Sequence, residues 1–174
     1  MSDGFEEAKA QRGWLERLGA KIPGFRGFQD RELRRDVDKL QREHLAGQLA
    51  AIKRGVREKA RAHTDAGALG PLAHLDRLER RLDGLAQTIR FADYGASGFF
   101  DVVKFYDQEL DKLYQFDLSF VEELAALASE VEAIPGPGAG EATGAIDQAL
   151  AHLGALEAKW AGREQVVGSV VRTA

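Results

Sequence analysis

The chain predicts an all-α fold: an antiparallel bundle of four long helices plus a short N-terminal amphipathic helix. Three observations lead there. Apolar residues recur every three or four positions over most of the 174 residues. Breakers rich in glycine and proline fall between those runs, not inside them. The positions between the apolar ones are dense in charge, as on the solvated faces of helices.

The clearest seam runs Phe99, Val103, Tyr106, Leu110, Leu113, Asp117, Phe120, Leu124, Leu127, Val131, Ile134. This is the spacing of a helix packed along its length in coiled-coil fashion. It predicts a helix over 98–134 that Pro135 and the glycines behind it stop. Leu72, Leu75, Leu78, Leu82, Leu85 and Ile89 predict a second helix over 72–92. A third, over 30–62, carries Leu33, Val37, Leu40 and His44, then drifts to Leu45, Leu49, Ile52 and Val56. Asp30 is its expected cap. The last helix, over 141–170, follows Ile146, Leu150, Leu153, Leu156, Trp160, Val167 and Val171. At the start, Phe5, Ala8, Leu15 and Leu18 share a face of a short helix over 5–18, with Trp14 beside it. Short connections make sequential helices antiparallel neighbours, and the length suits a single domain over 1–174.

Composition narrows the function. With 24 basic and 28 acidic residues the net charge is −4, which argues against nucleic-acid binding through a basic face. The absence of cysteine excludes disulfides, thiolate nucleophiles and cysteine-ligated metals. No apolar run is long enough to span a bilayer, and the first residues lack the apolar core of a signal peptide, so a cytoplasmic location is expected. The four histidines are scattered and no Glu-x-x-His pair occurs, so no metal or other cofactor is expected.

Candidate functional residues fall in three places. Lys21–Phe28 is a loop shaped by Pro23, Gly24 and Gly27. Its Phe25 and Phe28, flanking Arg26, either plug the bundle end or bind a partner. Trp14 stands on a helix expected to cover one end of the bundle; the alternatives are a partner-binding residue or a peripheral membrane contact, although acidic residues on that helix count against a membrane. Asp117 interrupts the apolar seam, and His44 occupies the matching stripe of 30–62. The two could meet as a buried polar pair, acting as acid and base or fixing register. Alternatively Asp117 caps a break in its helix at Gln115–Asp117. Nine of the fourteen aromatic residues lie between Phe91 and Phe120, which predicts the bulkiest part of the core there; one stripe cannot bury them all, so the region either contacts two neighbouring elements or leaves aromatic surface for a partner.

Two stretches, IPGFRGFQDRELRR (Ile22–Arg35) and FADYGASGFFD (Phe91–Asp101), resemble segments of a group of bacterial helical proteins that accompany phage-shock-protein-A-like and band-7 (SPFH) membrane-stress components. The resemblance implies a bacterial envelope or stress-response setting and no activity or cofactor. The breaks at Gly67–Pro71 and Pro135–Gly140 depart from the single long hairpin of phage-shock protein A itself.

The leading expectation is a non-enzymatic scaffold or adaptor that binds a protein partner, its own copy included, in the cytoplasm or peripherally at the inner membrane. Two alternatives stand beside it. One is a small-molecule- or metal-binding bundle centred on His44 and Asp117, with enzymatic activity. The other is a peripheral membrane protein using the N-terminal helix.

Overall fold

The computed structural model describes residues 31–92 and 107–172. Among them are four α-helices and no strand: α1 (Arg31–Asp65), α2 (Leu72–Arg90), α3 (Asp107–Ala133) and α4 (Ala142–Arg172). The all-α expectation holds. The predicted helix over 5–18, the Lys21–Phe28 loop and the start of the 98–134 helix lie outside the described residues.

The helix ends follow local chemistry. Helix α1 runs three residues past the expected stop, to Asp65. It closes on Gly67, whose φ of +70° places it in the left-handed region. The Ala68 N–H donates to His63 O at 2.8 Å and the Gly67 N–H to Thr64 O at 2.9 Å, the paired closure of a Schellman motif. Pro71 then starts α2, where its lack of an N–H costs nothing. Helix α3 is continuous through Gln115–Asp117 up to Ala133, so Asp117 caps no break. Pro135 follows directly on the helix end, as expected.

By contacts the chain forms two compact units. The better-described one comprises Leu45–Ala92 and Glu122–Ala161. All four helices contribute a seam to it. These are Leu45, Leu49, Ile52 and Val56 on α1, and Leu75, Leu78, Leu82, Leu85 and Ile89 on α2. On α3 they are Leu124, Leu127, Val131 and Ile134; on α4, Ile146, Ala149, Leu153, Leu156 and Trp160. All are buried at the three-and-four spacing of knobs-into-holes packing. Each leucine so buried contributes about 2 kcal/mol relative to exposure.

Interhelical contacts give the directions. Lys53 bonds Asp83 and Arg57 bonds Glu79, so numbering rises on α1 as it falls on α2. Glu130 meets His152 and Glu123 meets Lys159, so α3 and α4 are antiparallel too. Against α3, however, α1 runs parallel: Gly55 faces Val131, and Lys59 and His63 reach the carbonyls of residues 132–135. Helices α2 and α4 are likewise parallel, through His74–Asp147 and Arg81–Glu157.

These contacts trace a ring in the order α1–α2–α4–α3. Successive helices alternate in direction, as expected. Side-by-side adjacency holds for α1–α2 and α3–α4, whereas α2 and α3 occupy opposite corners. Residues 91–106 between them exceed in length both 66–71 and 134–141.

The second unit includes the described residues 31–44, 107–121 and 162–172. Here Phe120 is fully buried and stacks on Phe116, ring centroids 6.3 Å apart. The aromatic cluster expected from the sequence is thus internal at Phe120. In the first unit Phe91, placed in that cluster, is 73% exposed instead. It lies just past the last turn of α2, where the seam ends at Ile89.

Gly84, in the middle of α2, has open space where a Cβ would project. Gly84→Ala should raise the unfolding free energy by up to about 1 kcal/mol in urea denaturation, through helix propensity alone. Gly154→Ala should gain less, because its Cβ would sit 3.0 Å from Arg81 Nη2.

Candidate functional site

The second unit holds the residue that breaks the apolar seam. Asp117 is 1% exposed. A carboxylate there requires a cation, since an isolated charge in an apolar interior is very costly. Arg163 of α4, itself buried, supplies it. Its Nε donates to Oδ1 at 2.8 Å and its Nη2 to Oδ2 at 3.2 Å, a two-pronged geometry that only a guanidinium can offer.

The sequence reading brought Asp117 toward His44 and missed Arg163. The signal for Arg163 was present. Continuing the α4 seam by three from Trp160 lands on Arg163, a charge at a core position on the helix antiparallel to α3.

His44 is half-buried, and its Nε2 atom is shielded from solvent without a hydrogen-bond partner among the described residues. Burial pushes its pKa below the ordinary value of 6.5. Gln41, one turn earlier on the same face, is 1% exposed, with its Nε2 likewise unpartnered. Of the stripe positions nearest His44, Leu40 is half-buried and Leu45 fully buried.

In the first unit the remaining three histidines each bridge two helices or a helix and its turn. His63 is 2% exposed and donates from Nε2 to Pro135 O at 3.1 Å. One turn earlier, Lys59 donates to Glu132 O at 2.9 Å and Ile134 O at 2.6 Å. Together they satisfy carbonyls left open where Pro135 ends α3, and the ammonium sits at the negative end of that helix. His74 donates from Nδ1 to Asp147 Oδ1 at 2.7 Å, and His152 from Nδ1 to Glu130 Oε1 at 3.0 Å. Arg81 grips Glu157 with both Nε and Nη2 and also donates to Leu150 O. On the α1–α2 side, the Lys53 ammonium beside Asp83 holds that carboxyl below its usual range.

A shallow groove lies between α1 and α3 of this unit. Ile52, Leu124 and Val131 form its floor, Ala51, Gly55 and Ala128 its walls, and it encloses about 360 Å³. Among the described residues no three His, Asp or Glu side chains converge on a point where a metal ion would sit. The partner-binding candidates Trp14, Phe25, Arg26 and Phe28 lie outside the described residues.

Compared with known proteins, the chain matches no family model, no curated protein and no solved structure.

Two measurements check the buried groups. Arg163→Met should destabilise by about 3–5 kcal/mol, because it removes the guanidinium that donates to both oxygens of the buried Asp117 carboxylate. The double variant Asp117→Leu with Arg163→Met should recover much of that loss, and a thermodynamic cycle from urea titrations reads the coupling. For His44 the folded chain favours the neutral ring, so protonation favours unfolding. Its contribution should be intact above pH 6.5 and fall away as the pH drops below that value. The stability of wild type relative to His44→Leu should therefore decrease between pH 7 and pH 5. A pH-independent difference would contradict the burial argument.

Proposed function

We propose that this chain is a non-enzymatic helical scaffold or adaptor that acts by binding a protein partner. The observation that carries the reading is how its polar side chains are employed. His63, His74 and His152, the groups best suited to move protons near neutral pH, are each occupied in a helix-to-helix or helix-to-turn bond. Lys53, Lys59, Arg81 and Lys159 are engaged in the same way. Asp117, the residue with most promise as an acid or base, is neutralised by Arg163. That pairing also weighs against the alternative of a ligand- or metal-binding bundle centred on His44 and Asp117.

The partner surface in this reading is Phe25, Arg26 and Phe28, with Trp14 as a further candidate. Two phenyl rings flanking a guanidinium have the composition of an interface anchor. The partner is another protein or a second copy of the chain. A cytoplasmic place in a bacterial envelope or stress response, with peripheral contact to the inner membrane through Phe5–Leu18, rests on the resemblance of Ile22–Arg35 and Phe91–Asp101 and on the amphipathic start. Among the described residues, no helix is long and apolar enough to cross a membrane.

Affinity capture with the full chain as bait tests the adaptor reading. A specific partner should be recovered from the native host. The double variant Phe25→Ala with Phe28→Ala, checked for helix content by circular dichroism, should weaken its binding tenfold or more, since one anchoring aromatic is worth over 1 kcal/mol. Unchanged recovery would remove the loop from the interface. Liposome flotation of wild type against Trp14→Glu separates a membrane role, which predicts binding that the variant loses.

A further inference from the structure

We draw no further inference here: the strongest candidate, the shallow apolar groove between α1 and α3 floored by Ile52, Leu124 and Val131, carries nothing because nothing in the structure shows what covers it.

Discussion

Four seams of aliphatic side chains meet along the axis of the unit built from Leu45–Ala92 and Glu122–Ala161, and burying them together is the constraint to which everything else there conforms. Most of a helix's stability in a protein comes from packing its apolar face rather than from propensity, and the nineteen-residue α2 is a case of this. It persists because Leu75, Leu78, Leu82, Leu85 and Ile89 lose their water against three other helices. Aliphatic packing is non-directional, however, and does not say which helix stands beside which. Aliphatic seams at similar spacing allow several ring orders and registers with comparable burial.

Direction and register come from the polar residues that border the seams. Lys53–Asp83 and Arg57–Glu79 lock α1 to α2, while Glu123–Lys159 and Glu130–His152 lock α3 to α4. Individually such partly exposed pairs stabilise by only 0.2–1 kcal/mol or so. Their value is that a shift by one turn would separate every pair along the edge at once. The two parallel edges are closed differently. Along α1–α3, Lys59 and His63 bond to carbonyl oxygens that exist as open acceptors only because α3 terminates. Along α2–α4, Gly154 leaves room for the Arg81 guanidinium to lie across the helix and reach Leu150 O and Glu157. A larger residue at 154 would press on that side chain.

Much of this was legible in the sequence because helical periodicity is a one-dimensional signal. Every apolar position named on α2 from Leu75 to Ile89, and on α3 from Phe120 to Ile134, is buried. The ring order was not legible. It depends on which edges carry matching charges, and those residues, such as Glu79 and Asp83, look in sequence like any solvated face. The misses at polar core positions share a form: in sequence His63 and Arg163 look like residues of a solvated face, and the α4 seam was taken from Trp160 to Val167 across Arg163. Extending the α1 seam from Val56 by seven residues reaches His63, and extending the α4 seam from Trp160 by three reaches Arg163; both are buried. Phe91, just past the last turn of α2, is exposed, which falls on the side of aromatic surface left outside the core.

The Asp117–Arg163 pair brings out the difference between stability and specificity. Two well-packed apolar residues at those positions would bury comparable volume without the desolvation cost of two ions, so the pair is weak grounds for a stability role. What it does impose is a unique match. Asp117 on α3 and Arg163 on α4 are both buried and joined through both carboxylate oxygens, so a register that parts them breaks a two-pronged contact between charges held out of water. A lone acid in an apolar seam reads naturally as a reactive group. With its guanidinium in place it reads as a register pin, the same task that His63, His74 and His152 perform in the other unit. In each unit these polar contacts hold neighbouring helices in order.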